Sequence, residues 1–254
     1  MKFDFFTIFP SLYGAFLNES LIGKAARKGI LSFRVFDMRD YSSDPHKKVD
    51  DYSYGGGAGM VLRADVVLSA FRKVYGDLDL LRQGISDGRI SVIVPSARGK
   101  KFTQATAWNL SKREHIIFVS PRYEGVDQRV VEDLRAEELS VGDFVVMGGD
   151  LPAMLMTEAI VRLVPGVVGK SDSLRSESFS GEGLLEYPQY TRPYEVNGYK
   201  VPDVLLSGNH KAVDVWRRKQ AILTTFKNRP DILLKLVVDG KISLREVREA
   251  LSDD

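Results

Sequence analysis

The chain has 254 residues, 44% hydrophobic and 28% charged, with a formal net charge of +2. Those proportions suit one large globular domain, or a medium domain joined to a small one, and exclude a disordered chain. The absence of cysteine excludes disulfides, thiolate zinc sites and a cysteine nucleophile, and no apolar run approaches the roughly 20 residues that span a bilayer.

Phe3–Phe9 is a short apolar run ended by Pro10 and reads as a first strand. Asp4 interrupts it and no small-residue cleavage site follows, so it does not read as a signal peptide, and a cytoplasmic location is expected. A helical stretch follows to about Lys28. Leu31–Asp37 alternates, with Leu31, Phe33 and Val35 on one side, and reads as a second strand. Residues 38–59 form a polar loop that ends in YGGGAGM, four glycines in five positions. Ala64–Tyr75 has helical spacing, with Val67, Leu68, Phe71 and Val74 on one side.

Three short apolar runs mark the middle of the chain: Ile90–Val94, Ile116–Val119 and Phe144–Met147. Runs of that length fit strands buried on both faces. Each precedes a Gly- or Pro-containing loop (PSARGK, SPRYEG, GGDLPA) and then a helical pattern, over Phe102–Lys112, Val126–Leu134 and Pro152–Leu163. Strand, loop and helix in threefold succession predict an α/β fold with a parallel sheet. Such sheets bind ligands at the carboxyl ends of their strands, so the three loops are expected to converge on one pocket.

The composition then changes. Residues 169–183 carry five serines and three glycines in fifteen positions, the make-up of a linker or lid. Beyond it, His210–Arg229 reads as a long helix with Val215, Trp216, Leu223 and Phe226 as its buried stripe. Pro230 opens another helix, and Ser243 to Glu246 form a capping box for the last. The expected domains are residues 1–168, a linker over 169–185, and a small helical C-terminal domain over 186–254.

Each chemical candidate has a plain structural counterpart. YGGGAGM lacks the Lys-Ser of a phosphate loop and the spacing of a dinucleotide loop; it is either a flexible turn or a close approach of bare backbone to a neighbour. Glu124 and Asp127 either meet a ligand or cap the next helix. Gly148-Gly149 suits a double turn as well as a ligand. Arg162 lies four residues after Glu158, the spacing of an exposed ion pair. The stretch 211–229 has six basic residues against one acid, which suits either a phosphate backbone or a solvated helix face. His46, His115 and His210 lie far apart and form no metal-binding pair.

The segments VDDYSYGGGAGM, SPRYEGVDQRV, ELSVGDFVVMGGDLPAM, VRLVPGVVG, ESFSGEGLLEYPQYTRP and VPDVLLSGNHKAVDVWRRKQ, in this order, resemble the bacterial tRNA (guanine-N1)-methyltransferases, knotted enzymes of the SPOUT superfamily. The likeness runs from residue 1 to about 230. It implies a deep trefoil knot in the α/β domain, S-adenosylmethionine as methyl donor, and a homodimer with shared active sites. The C-terminal domain would grip the tRNA anticodon arm, and the target would be the guanosine immediately 3′ of the anticodon. Glu177 matches the family's general base and Arg162 its arginine, which would stabilise charge on the guanine carbonyl oxygen. The donor would be held by Pro95, Ser96, Pro121, Arg122, Tyr123, Glu124 and Gly125, by Ser140, Val141, Gly142, Asp143, Phe144, Val145 and Val146, and by Gly148, Gly149 and Pro152. Glu124 and the loop glycines Gly55, Gly56, Gly57 and Gly59 would face the bound guanine. Magnesium is implied as an assisting ion.

The chain departs from the family pattern in three places. The base is commonly Asp, and here it is Glu177. Ser120-Pro121 stands where Cys-Gly is frequent, so Pro121 can offer only its carbonyl or ring. Gln189 stands where a histidine occurs in other members. A knotted methyltransferase acting on ribosomal RNA or on a ribose 2′ oxygen is the alternative enzyme; the ESFSGEGLL segment and the helical C-terminal region argue against it. A non-catalytic RNA-binding protein is the remaining alternative.

Overall fold

The computed structural model describes residues 1–169 and 177–252. The chain divides into two compact units, Met1–Gly169 and Lys170–Asp254, and each is taken by itself.

In the first unit the central strands are mostly buried and apolar, and the edge strands are more polar. β1 (Lys2–Thr7) is buried from Phe3 onward. The helices α1 (Tyr13–Asn18) and α2 (Ser20–Arg27) follow, then β2 (Ser32–Asp37). β3 (Asp50–Asp51) and β4 (Val61–Leu62) pair antiparallel as a small hairpin. Next come α3 (Ala64–Tyr75), α4 (Leu78–Ser86), β5 (Ile90–Lys101) and α5 (Gln104–Leu110). β6 (His115–Val119), α6 (Gln128–Asp133), β7 (Glu137–Ser140) and α7 (Asp150–Val161) complete it. Among the described residues the sheet has five strands in the order β2-β1-β6-β5-β7, paired parallel throughout. The parallel α/β reading of the sequence is correct.

The central strands β5 and β6 are covered on both faces, which is why Ile90–Val94 and Ile116–Val119 read as unbroken apolar runs. On one face Phe6 stacks on Phe36 and Phe71, at ring distances of 4.9 and 4.5 Å. That face holds the cluster built from α3, α4 and α6, including Val67, Leu81, Val130 and Leu134. On the other, Phe5 meets Phe118 at 5.5 Å and Tyr13 at 4.7 Å.

One strand assignment needs correction. The third strand of the repeating pattern is β7, EELS, and not Phe144–Met147. Glu137 and Glu138 disguise β7, because Glu137 is exposed and Glu138 pairs with Arg98 at 2.8 Å. The apolar run Phe144–Met147 is irregular and exposed, with Met147 at 88%.

The second unit contains the hairpin β8 (Glu195–Val196) and β9 (Tyr199–Lys200), then α8 (His210–Asn228), α9 (Pro230–Val238) and α10 (Leu244–Leu251). Pro230 occupies the first turn of α9, and Ser243 and Glu246 form the capping box of α10. The buried stripe of α8 differs from the predicted one. It comprises Ala221, Ile222, Leu223 and Thr225, while Val215 and Phe226 are exposed. The covered part of α8 packs with Leu233, Leu236, Ile242 and Ala250. Residues 177–185, expected as part of a linker, include Leu184, which is buried in that same core; 170–176 lie outside the described residues.

Asp4 is a buried charge on β1, 1% exposed. It accepts hydrogen bonds from Arg34 at 2.8 and 2.6 Å and from Tyr75 at 2.5 Å, and it meets His115 at 2.8 Å. Burial pushes its carboxyl up, but the hydrogen bonds from His115, Arg34 and Tyr75 outweigh burial and hold it at about 2. A carboxyl lowered from its unfolded value near 4 stabilises the fold above that pH, and the gain fades as pH falls toward 2. The shift corresponds to about 2 kcal/mol. Urea unfolding of the native chain and of Asp4→Asn should therefore differ most at pH 6–7 and converge toward pH 2–3; parallel pH profiles would disprove this assignment.

Candidate active site

The register of β5 shifts between Pro95 and Lys100, and residues 95–98 within that shift come together with the loops that follow β6 and β7, over 120–127 and 141–149. They line a cavity of about 1210 Å³. Pro95, Ser96, Pro121, Arg122, Tyr123, Glu124 and Gly125 lie in its wall. So do Ser140, Val141, Phe144, Val145, Val146, Gly148, Gly149 and Pro152. Parts of all three predicted loops meet in this cavity, but the third begins after β7 and includes the run Phe144–Met147 that was expected as a strand. Gly142 and Asp143 are outside the wall; Ser140 Oγ donates to the Gly142 carbonyl at 2.9 Å, and Asp143 reaches toward Lys101 at 3.7 Å.

A buried carboxylate ties these loops to the sheet. Asp150, at the first position of α7, is 1% exposed. It accepts from Thr7 Oγ1 at 2.6 Å, from the Tyr13 hydroxyl at 3.0 Å and from Arg122 Nε at 3.2 Å. Tyr13 also shares a hydrogen bond with Ser120 at 3.1 Å. Burial pushes the Tyr13 phenol far up, and the negative charge of Asp150 adds to this, so it stays a neutral donor. The Arg122 guanidinium lies over the Phe9 ring, 4.4 Å from its centroid, at a distance where a cation and an aromatic face attract.

Close approach explains Gly148 and Gly149 better than a turn does. The Gly149 N–H donates to the Pro121 carbonyl at 2.7 Å, and Gly148 bridges to Arg122. A Cβ at Gly148 would come within 2.4 Å of the Arg122 side chain, and one at Gly149 within 2.5 Å of the Pro121 ring. The loop before α7 therefore passes hard against the loop after β6.

YGGGAGM forms the tip of the β3–β4 hairpin. Gly55, Gly56, Gly57 and Gly59 all have positive φ, from +80° to +123°, a conformation that favours glycine. Gly55 and Gly56 face open space, whereas a Cβ at Gly59 would come within 2.7 Å of Glu124. The first three glycines answer a backbone need, and Gly59 a steric one. None of the four lies in the cavity wall, although Tyr54 and Glu124 do. Asp127 caps α6, accepting from the Arg129 N–H at 2.9 Å, as its structural reading requires, and it too lines the cavity.

Sequence reasoning missed several wall residues. Tyr52, Tyr54, Arg63, Asp65 and Arg129 line the same cavity. Asp50 is buried in the short strand β3, next to the wall residue Asp51. Partial burial, with the nearby charge of Asp50, pushes the Tyr123 phenol up. The pair Asp50-Asp51 ahead of two exposed tyrosines was the available signal. The buried node at Asp150 left none, because a lone acid opening a helix reads as an ordinary first-turn residue.

The two predicted catalytic residues belong to different units. Arg162 is the C-cap of α7 and is not in the cavity wall. Glu177 lies in the second unit and lines a smaller cavity of about 190 Å³ with Ser180, Glu182, Tyr187, Arg217 and Arg218. The basic surplus counted along α8 is partly offset in space. Arg218 meets Glu182 and also Glu246, Arg229 meets Asp231 at 2.7 Å, and the Arg217 guanidinium lies 5.0 Å from the Tyr187 ring centroid. Among the described residues no group of three His, Asp or Glu side chains could hold a metal ion, so the implied magnesium finds no cage there. No helix among them is long and apolar enough to cross a membrane.

A family model described as tRNA (Guanine-1)-methyltransferase TrmD matches residues 1–235. A curated protein of Staphylococcus carnosus named tRNA (guanine-N(1)-)-methyltransferase is 47% identical, over 92% of this chain and 91% of its own length. Proteins of the same name are 46% identical in Bacillus subtilis, over 92% of both chains, and 43% identical in Dictyoglomus turgidum, over 100% of this chain and 99% of the other. With a match of that extent and relatives this similar, the chain belongs to the tRNA (guanine-N1)-methyltransferase family.

Proposed function

We propose that this chain transfers a methyl group from S-adenosylmethionine to ring nitrogen 1 of the guanosine immediately 3′ of the anticodon in tRNA. The observation that carries the reading is the single cavity where residues 95–98 of β5 meet the loops after β6 and β7, in a chain of this family. Ligand pockets usually measure about 300–1,000 Å³, so a cavity of about 1210 Å³ has room for a nucleoside donor and a second flat ring. Its wall also suits such a donor. Apolar side chains at Val141, Phe144, Val145 and Val146 can cover an adenine face, and the irregular backbone of the same loops offers N–H and C=O groups to its edge.

The donor supplies a methyl group on a positively charged sulfur. Everything else falls to the chain. As the methyl group bonds to N1, the N1 proton must leave, and Glu177 accepts it as general base. Loss of that proton pushes negative charge onto the guanine carbonyl oxygen, where the Arg162 guanidinium would stabilise it until N1 takes the methyl group; S-adenosylhomocysteine is the leaving group. Glu124, in the wall beside Gly59, faces the guanine. The basic residues of α8, Lys211 and Lys227 among them, suit the phosphates of the anticodon arm. The close passage of residues 148–149 against 121–122 supports a knotted arrangement of this α/β domain. Leu151 and Leu155 are one turn apart on α7 and exposed, as is Met147 just before them. A second copy of the chain would cover that apolar surface, in keeping with a homodimer.

Four outcomes test this reading. Glu177→Ala should lower methyl transfer by about 10²-fold or more with S-adenosylhomocysteine binding intact, and Glu177→Asp should keep substantial turnover; full activity of the alanine variant would remove Glu177 from the mechanism. Arg162→Ala should lower the rate by a similar factor of about 10², and an unchanged rate would reduce it to a helix-end residue. Gly149→Ala forces the loop off Pro121 and should weaken S-adenosylhomocysteine binding about tenfold or more by calorimetry; wild-type affinity would put the donor elsewhere. On unmodified tRNA transcripts, G after the anticodon should be methylated and A should not; methylation mapped to another nucleotide would favour the alternative RNA target.

A further inference from the structure

Thr225 is out of place among its neighbours. It sits in the covered stripe of α8 between Leu223 and the core of the second unit, and it is 0% exposed. Valine would fill the same space without a hydroxyl to satisfy. The hydroxyl has two partners. It donates to the Ala221 carbonyl at 2.7 Å, and it accepts from the Leu185 N–H at 2.9 Å. The first bond is the usual retreat of a threonine inside a helix. The second is not local, since it fastens a segment forty residues earlier in the chain to α8.

That segment carries Glu177. Residues 177–186 fold back on themselves as a closed loop. The Ser180 N–H donates to the Glu177 carbonyl at 3.0 Å, Gly183 N–H to the Ser180 carbonyl at 2.8 Å, and Phe179 N–H to the Leu184 carbonyl at 3.2 Å. Phe179, Gly181 and Gly183 adopt positive φ to make these turns. At the neck, Glu186 N–H donates to Ser178 Oγ at 3.0 Å, and Ser178 N–H returns to the Glu186 carboxylate at 3.4 Å. Leu184 is buried in the helical core, and Arg218 of α8 meets Glu182. The chain of contacts thus runs from Thr225 to Leu185, through the Ser178–Glu186 neck, to the residue beside it, Glu177.

We propose that Thr225 is a positioning residue for the general base: its hydroxyl, through the Leu185 N–H and the Ser178–Glu186 neck, fixes the loop that presents the Glu177 carboxylate. This rests on the reading of Glu177 as the base. It makes the base-bearing segment part of the folded second unit, so a change inside the core of α8 reaches the chemical step.

The test compares Thr225→Val, Thr225→Ser, Glu186→Ala and Glu177→Ala in single-turnover methylation of a tRNA transcript at saturating tRNA and donor. Thr225→Val should lower the rate about tenfold or more, with the S-adenosylhomocysteine Kd and the tRNA KM within about twofold of wild type, and Thr225→Ser, which keeps the hydroxyl, should restore the rate. Glu186→Ala, which opens the neck without touching the helical core, should show the same loss in rate alone. A folded Thr225→Val with wild-type rate beside an inactive Glu177→Ala would overturn the positioning role and leave the base assignment standing. An active Glu177→Ala would overturn both. If Thr225→Val does not fold, Glu186→Ala decides, and a wild-type rate there overturns the proposal.

Discussion

The geometry of the first unit depends on the pairing of Arg122 with Asp150. The carboxylate is almost wholly buried, and a lone charge there would cost several kcal/mol. It is tolerated because Arg122, Thr7 and Tyr13 all donate to it. Each donor comes from a different part of the chain: the end of β1, the start of α1 and the loop after β6. Asp150 itself opens α7, immediately after the loop that follows β7. Deleting one partner of such a pair usually costs about 3–5 kcal/mol, since the other charge is left uncompensated. Two cavity loops are thereby held in one place before any ligand enters, which lowers the ordering cost of binding.

That constraint also accounts for the two glycines ahead of it. For Arg122 to reach Asp150, its side chain must cross the backbone of residue 148, and the Pro121 ring must sit on residue 149. Any Cβ at either position would meet these atoms at under 3 Å. Gly148-Gly149 is thus the steric counterpart of a buried ion pair. The hairpin glycines differ in kind. Gly55, Gly56 and Gly57 serve backbone conformations that other residues resist, and they would be needed there whether or not a substrate approached.

The centre of the sheet was legible in the amino-acid sequence because burial on both faces writes β5 and β6 as apolar runs. Ile90–Val94 and Ile116–Val119 stood out for that reason, and α3 showed its full extent through one apolar side. The same rule misplaced the third strand. β7 opens with two glutamates, one exposed and one paired with Arg98, while the more apolar Phe144–Met147 stays outside the sheet and faces solvent. Hydrophobicity marks surface that needs covering, and it does not say whether a sheet, a ligand or another chain supplies the cover. In α8 the 3.6-residue period located one face, but only the turn over α9 and α10 is buried, so Val215 and Phe226 were wrongly placed inside. Of the cavity wall, the loops could be read from the repeated strand–loop–helix pattern. Asp51, Tyr52 and Tyr54 show no periodicity, because β3 is only two residues long, and an acid beside tyrosines was their one mark in the sequence.

The two units solve the same problem by different means. In the first, loops are fixed by a charge buried among neutral donors and one cation, a device whose strength comes from the low local dielectric. In the second, a serine-rich segment with the composition of a mobile linker is held from Glu177 onward by small, mostly neutral contacts: a threonine hydroxyl, a serine–glutamate neck and one buried leucine. Composition reports how many conformations a free segment could visit, whereas order depends on whether its few polar groups find partners. Ser178 serves the fold here because its hydroxyl closes the neck on Glu186. A run of serines and glycines therefore reads as a linker only until the donors and acceptors of its backbone are traced, and in residues 177–186 several of them lead back into the loop and one to α8.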